Sequence, residues 1–472
     1  MNPREEYFAR IEPLLGQGLS KHTVELQGIR ACARAAEMLA GCRLERIRSA
    51  PQTWLCRHLR WKNGFRPTRV LGAGKADASL QGEWIAPGRT CHLEFETTLG
   101  SPNIRMRIPR GDRFAWAQAN TLAARWILKG LMGRGWPESG RIYLGQRAWP
   151  YSQTSKPGPI CPRTPSPEPG KHIFVIGLGS LGSEAIRLLR APGLRWTLVD
   201  PSPVKLANPI RQWYGSDEIG RLKVDCLAKR LRGPVRRVAE KLADDGARLR
   251  ELIAQDRPDI VLLCAGTAEH ANLAQVLWEE GLPHVSVLAY PRARFFEVTA
   301  VAPSEHTPCL DCYRGRLYKG PQASLPMDEE LSSFLYQQVP AADRARLSHE
   351  LVAEPATPMD TGRIAEVAAR LAAELLRRPL ARPGCMQHML SEQTTCLLGG
   401  NTVEHKDNGD FAYGITTPGQ VLRLGLDDIA GTEAVDRCQV CGRDLITALK
   451  LEAPNKTEDL CSSEQLAEAL LV

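Results

Sequence analysis

A chain of 472 residues with 43% hydrophobic and 24% charged side chains fills roughly two to four globular domains, which excludes a disordered tail, a collagen-like repeat or a small disulfide scaffold. No apolar run is long enough to span a bilayer, and the opening MNPREEYFARIEPLL puts acids where a secretory leader needs a basic and then an apolar stretch, so a cytoplasmic protein with no membrane association is expected. The formal charge of +8 is uneven: residues 1–170 hold 26 Lys and Arg against 13 Asp and Glu, a net of +13 that leaves −5 for the rest.

A basic front half either meets an acidic partner or is a solvated arginine-rich surface, and no basic run with interleaved aromatics points to nucleic acid. Residues 1–150 read as an α+β domain. A helical pattern covers Lys21 to Leu39, with Leu26, Ile29, Ala33 and Ala36 on one face. HLEFETT and NIRMRIP flank LGSP as a hairpin, and Asp112 to Leu131 reads as a helix with Asp112 as its N-cap. Cys32, Cys42, Cys56 and Cys91 have no paired metal spacing and read as buried small side chains, among fourteen cysteines in a reducing compartment. Residues 151–170, with six prolines in twenty residues, read as a semi-rigid linker.

From Lys171 the order becomes strand, glycine turn, helix, strand, acid. Ile173 to Ile176 leads into Gly177, Gly179 and Gly182, and Trp196 to Val199 ends in Asp200. Glycines let backbone N–H groups approach a phosphate, a helix N-terminus adds partial positive charge, and an acid after the second strand can hold a ribose hydroxyl. Asn208, Arg211, Gln212 and Lys223 follow in the frame N-x-x-R-Q, a polar spacer and G-x-x-K.

This set of motifs resembles the ThiF/MoeB/HesA family, bacterial relatives of ubiquitin-activating enzymes, over about residues 171–443. The resemblance implies a Rossmann-like, mostly parallel α/β sheet that adenylates the C-terminal glycine of a ubiquitin-like or sulfur-carrier protein with ATP. It places Gly177, Gly179, Gly182, Asp200 and Gln212 at the nucleotide, with Gln212 supporting the loop. Asn208, Arg211 and Lys223 then surround the phosphates, where fixed cations offset the charge that develops as a carboxylate attacks phosphorus. A homodimer is also implied.

The later chain keeps the family scaffold and departs from it in chemistry. Ile260 to Leu263 reads as a parallel strand, but the family's D-C-T-D-N is replaced by Cys264, Ala265, Gly266 and Thr267, and Ser202 stands where a second aspartate is common. The acid that would hold Mg is therefore missing from its place, with Glu269 as a substitute only if the loop is remodelled. Val285 to Ala289 and Glu297 to Val301 continue the sheet. Cys309 with Cys312 and Cys438 with Cys441 make two CxxC knuckles, which together can close a four-thiolate structural Zn site; the resemblance accounts for their wide separation. Residues 313–360 correspond to the family's crossover loop, and no cysteine occurs from Tyr313 to Gly384. Direct hand-over of the acyl-adenylate, an oxyester on Thr357 or Thr361, or a thioester on Cys385 or Cys396 all remain open. The helix after the loop places Ile364, Val367, Ala368, Leu371 and Leu375 on one face, with Asp360 or Thr361 as cap. AYGITTPGQVLRLGL reads as a strand pair, and residues 444–472 form a tail.

The expected function is ATP-dependent adenylation of a ubiquitin-like or sulfur-carrier protein, in a bacterial ubiquitin-like conjugation pathway, with residues 1–150 docking that protein or a conjugating enzyme. A scaffold that binds such a protein without ATP is the alternative, and an NAD oxidoreductase would leave the N-x-x-R-Q frame and the double CxxC unexplained.

Overall fold

The computed structural model of the chain describes residues 22–49, 68–69, 76–85, 92–98, 103–131, 139–152, 166–303, 356–377, 396–399 and 421–424, with short breaks within several spans. In chain order the first elements are Thr23–Gln27 (β1), Ile29–Gly41 (α1), Arg46–Ser49 (β2), Thr68–Arg69 (β3), Ala78–Ile85 (β4), His92–Thr98 (β5), Asn103–Pro109 (β6) and Arg113–Leu131 (α2). They build a six-stranded sheet in the order β3-β2-β1-β4-β5-β6. The expected hairpin is β5 and β6, paired antiparallel from His92↔Pro109 to Thr98↔Asn103. Asp112 does cap α2, its Oδ1 accepting the Ala115 N–H at 2.9 Å. The helix expected over Lys21–Leu39 is in fact two elements. Thr23–Gln27 is a strand between β2 and β4 with Val24 fully buried, and the helix starts only at Ile29, after the poor helix former Gly28. Cys32 and Cys42 are buried as expected.

Ser139–Leu144 (β7) and Arg147–Ser152 (β8) pair with each other, so strand extends to the first residues of the proline-rich stretch. The second large unit comprises His172–Ile176 (β9), Ser180–Leu189 (α3), Arg195–Val199 (β10), Asn208–Arg211 (α4), Lys223–Ala228 (α5), Val235–Val238 (β11), Ala247–Asp256 (α6), Ile260–Leu263 (β12), Thr267–Glu279 (α7), His284–Ala289 (β13), Phe296–Val301 (β14), Pro358–Arg377 (α8), Cys396–Gly399 (β15) and Val421–Leu424 (β16). Its eight strands run β11-β10-β9-β12-β13-β14-β15-β16. The first five are parallel and the last three antiparallel. This is the mostly parallel Rossmann-like sheet expected.

Successive strand residues point to opposite faces. Ile173 and Val175 join Ile186, Leu189, Ala365 and Ala368 under α3 and α8. Phe174 and Ile176 join Leu252, Leu273 and Leu277 under α6 and α7. Strands buried on both faces read as unbroken apolar runs, which is why β9 and β12 were visible in sequence. The buried face of α8 differs from the five expected positions: Ile364 and Ala368 are buried, whereas Val367, Leu371 and Leu375 are only partly so. Ala365, Ala369, Ala372 and Ala373 are also buried, because α8 packs on α3 and, across the chain, on α2. Its cap is Thr357, whose Oγ1 accepts the Asp360 N–H at 3.2 Å and donates to the Asp360 carboxylate at 2.5 Å. Asp360 sits at the third helical position, so Thr357 is the cap and the expectation of Asp360 or Thr361 in that role is corrected.

Between the two units, α1 and α2 lie against α3 and α8 through a buried ionic network. Arg34 donates to Glu184 at 2.6 Å and to Glu366 at 3.3 Å. Thr121 donates to Glu366 at 2.5 Å, and Arg187 makes two bonds to Glu37 at 2.7 and 3.0 Å. Burial pushes the Glu366 carboxyl up, with Arg34 foremost among the groups pulling it back. Burial lowers the Arg187 value, but Glu37 and Glu184 outweigh it and hold the guanidinium charged. No described helix is long and apolar enough to cross a membrane. The four knuckle cysteines, Cys309, Cys312, Cys438 and Cys441, lie outside the described residues, as do Cys385, most of the crossover loop and the tail.

Two outcomes follow from this packing. Arg187→Ala removes the counter-charge and two hydrogen bonds from buried Glu37, while Glu184 keeps Arg34, and should cost about 3–5 kcal/mol, read as a lower urea midpoint at unchanged slope. Buried His284 is pushed down from 6.5 to about 4, so between these values the unfolded chain binds the extra proton and stability falls as pH falls. His284→Leu should flatten that slope in pH-dependent unfolding, with His172, also lowered by burial, supplying the remainder.

Candidate functional site

The site lies beyond the carboxyl ends of β9 and β10, beside β12, where the strand order reverses and loops diverge to the two faces of the sheet. Gly177 leaves β9 with φ +86°, and a Cβ there would stand 2.4 Å from the Cys264 carbonyl oxygen. At Gly182 a Cβ would meet the Gly177 oxygen at 2.0 Å. Only glycine lets the first turn of α3 close this tightly over the strand end. Gly179 is the N-cap of α3 and makes no side-chain cap hydrogen bond, and the N-terminus of a helix favours an anion.

Asp200 follows β10 and gathers the site. Its Oδ2 accepts the Leu178 N–H at 2.8 Å, its Oδ1 accepts the Ser202 N–H at 2.8 Å, and Lys223 Nζ lies 3.4 Å from Oδ2. Lys223 reaches it because residues 202–204 pair with 220–223: Pro203 bridges Leu222, the Val204 N–H donates to Arg221 and the Lys223 N–H to Ser202. Asp200 and Lys223 are 6% and 9% exposed, so this ion pair is held away from bulk water.

The N-x-x-R-Q frame forms α4. Asn208 Oδ1 accepts the Lys205 N–H at 2.8 Å, so its NH₂ is what it can offer an anion. Arg211 is buried, and Gln212 Nε2 donates to Ser180 Oγ at 3.4 Å at the head of α3. The structure thus gathers Gly177, Gly179, Gly182, Asp200, Gln212 and Lys223 around one turn, with Asn208 and Arg211 on the adjoining helix. With one acid and two bases, these charged groups favour an anion.

Three further residues hold the site and were not singled out in sequence. The Tyr214 hydroxyl donates to the Leu178 carbonyl at 2.8 Å; burial, then Asp200, raises its pKa well above normal, so it stays a neutral donor. Ser183 Oγ accepts the Trp213 N–H at 3.1 Å. Glu218 accepts the Gly215 N–H at 2.8 Å and pairs with Arg230. Tyr214 stands three residues after Arg211 in the same frame, and that spacing was the available signal.

The thiol of Cys264, under the glycine turn, is pushed up to about 12 by burial and stays protonated. Thr357 and Thr361 are both buried, and the Thr361 hydroxyl donates back to the Thr357 carbonyl at 3.3 Å. Both hydroxyls therefore serve the end of α8, which argues against the oxyester expectation. Cys396 opens β15, its backbone paired with Thr299. Among the described residues no group of three or more His, Cys, Asp or Glu could hold a metal. Asp200 already takes two N–H groups and a lysine, so this site does not fit a protein-held magnesium; the expected zinc cysteines are outside the described residues.

Residues 170–384 match the ThiF family. This part of the chain is a ThiF-family domain. Among solved structures, E. coli MccB with ATP is 14% identical, with a TM-score of 0.37 over 58% of this chain and 67% of that one. The microcin C7 biosynthetic enzyme MccB in complex with N-formylated MccA is 15% identical, with a TM-score of 0.38 over the same shares. TcdA (CsdL) is 19% identical, with a TM-score of 0.30 over 44% of this chain and 85% of that one. One curated protein, cinnamyl alcohol dehydrogenase 7 of Oryza sativa subsp. japonica, is 44% identical over 50 residues. The chain spans about an eighth of that protein's length, 13%, with 11% of its own.

Asp200→Asn keeps the shape but removes the counter-charge to Lys223 and one acceptor of the loop N–H groups. A loss of about 1–3 kcal/mol in unfolding free energy is expected, and Asp200→Ala should lose more; denaturant titration of the two variants is the check.

Proposed function

We propose that the ThiF-family domain binds ATP at the glycine turn and adenylates the C-terminal carboxylate of a small peptide or ubiquitin-like or sulfur-carrier protein. The observation that carries this reading is the buried Asp200–Lys223 pair set against the glycine turn, with Arg211 on the neighbouring helix. Phosphates lie at the N-terminus of α3, and Lys223 exchanges its contact with Asp200 for a phosphate oxygen, leaving Asp200 an oxygen for the ribose. The partner's carboxylate oxygen bonds to the α-phosphorus as the bond from that phosphorus to the bridging β-phosphate oxygen breaks, and pyrophosphate leaves with the electron pair. Lys223 and Arg211 offset the charge that spreads over the phosphates, and Asn208 orients an oxygen through its NH₂. The expected magnesium is assigned no protein ligand in this reading, because Asp200 is already engaged by two N–H groups and Lys223.

A conjugating enzyme as the next acceptor and a bacterial ubiquitin-like conjugation pathway belong to this reading through family resemblance. The basic residues of the N-terminal region, at net +13, favour an acidic carrier surface. The absence of a crossover cysteine in the sequence favours hand-over of the acyl-adenylate itself.

Pyrophosphate exchange tests the proposal. Wild-type protein with a small glycine-terminated partner encoded beside it should incorporate labelled pyrophosphate into ATP, and Lys223→Ala should lower exchange about 100-fold with little change in fold. Exchange that ignores Lys223 and Arg211, or tight ATP binding with no exchange for any such partner, rejects it; the latter result favours the binding scaffold.

A further inference from the structure

The two large sheets repeat one another. The smaller runs β3-β2-β1-β4-β5-β6, and the first six strands of the larger run β11-β10-β9-β12-β13-β14. Taking each in chain order, the first strand lies between the second and the fourth, and the first four strands are parallel in both. A helix follows the first strand in each unit, α1 or α3, and a second follows the sixth strand and packs on it, α2 or α8. The units diverge at the fifth strand: α7 carries the chain to a parallel β13, whereas β5 pairs antiparallel with β4.

The helix pairs meet so that counterparts touch. Arg34 and Glu184 are 150 residues apart, as are Glu37 and Arg187. Thr121 and Glu366 are the ninth residues of α2 and α8 and bond directly at 2.5 Å. Contact between a residue and its own counterpart is what a two-fold axis produces. Here the two charged pairs on the axis are opposite in sign. Two copies of α3 on the same axis would set Glu184 against Glu184 and Arg187 against Arg187, burying like charges. The face therefore accepts the N-terminal unit and rejects a second copy of itself.

Among the described residues, the N-terminal unit does not repeat the nucleotide features. One residue, Gly28, lies between β1 and α1, where Gly177, Leu178 and Gly179 lie between β9 and α3; Ala50 follows β2, where Asp200 follows β10. Yet α1 reaches the phosphate side of the other unit. A Cβ at Gly41 would stand 2.5 Å from Pro358 Cγ and 3.1 Å from the Ile210 carbonyl oxygen in α4, and one at Gly362 would stand 2.6 Å from Met38 Cε.

We infer that the N-terminal half is a nucleotide-silent copy of the same strand and helix unit, standing on α3 and α8 in the place of a partner subunit and bracing the two helices that frame the nucleotide site. The chain is its own pseudo-symmetric pair, with one nucleotide site per chain and no homodimer across this face.

Two measurements on the full chain decide it. Light scattering should give the one-chain mass, 52.1 kDa, across a hundredfold range of concentration; a two-chain mass without nucleotide overturns the inference whether or not ATP binds. Gly41→Ala is the second. Helix propensity alone favours alanine, so a helix free of α4 and α8 would be stabilised with unchanged nucleotide affinity, and that result also overturns the inference. The bracing role instead predicts a lower Tm and ATP affinity weaker by roughly fivefold. If wild type binds no ATP, the Tm direction of Gly41→Ala and the native mass still decide, because neither depends on the adenylation reading.

Discussion

One carboxylate holds the glycine turn and its neighbouring loop in shape. Asp200 accepts the Leu178 N–H of the glycine turn and the Ser202 N–H of its own loop, and it lies against the Lys223 ammonium. It can do so only because β9 and β10 are in a register that sets Val199 beside Ile176 and brings the Gly177 N–H to the Val199 oxygen. A slip of one residue would move Asp200 to the other face of the sheet and leave the turn without its acceptor. The same acid stores a cation next to where phosphates would lie, so the positive charge is placed before any ligand arrives and little reorganisation remains for binding.

The interface between the two units obeys a different constraint. Buried ions cost desolvation that their mutual attraction only roughly repays, and apolar residues of similar size are often as stabilising. Arg34, Glu37, Glu184, Arg187 and Glu366 are therefore better understood as fixing which surfaces meet than as adding net strength. The apolar and small residues around them, with Met38 against Gly362 and Gly41 against Pro358, supply the close approach.

Much of the larger unit was legible in sequence because its physics is local. Apolar runs marked β9, β10 and β12, and the glycines and Asp200 sat at spacings that a strand, turn and helix require. The β5–β6 hairpin and the Asp112 cap were readable for the same reason. Strand β1 was not: TVELQ leads into an apolar-periodic helix, and only its burial between β2 and β4, a long-range fact, makes it a strand. The buried face of α8 was partly hidden too, since alanines at many positions suit a helix face whether or not another helix covers it. Tyr214 and Ser183 could not be ranked by sequence because their roles depend on backbone groups, the Leu178 oxygen and the Trp213 N–H, that any residue supplies. The match of residues 170–384 to the ThiF family agrees with the resemblance carried by the glycine turn and the N-x-x-R-Q frame.

The opposed charges on the internal axis have a consequence for how such a chain can change. In an assembly of identical subunits every substitution enters twice, and a residue on the axis meets its own replacement. Here Arg34 and Glu184 are encoded separately, so each substitution enters once and can be answered by an independent change at the other position. The half without the phosphate turn is thereby released from the demands of the nucleotide, and its remaining surfaces are free to diverge while the face on α3 and α8 stays constrained.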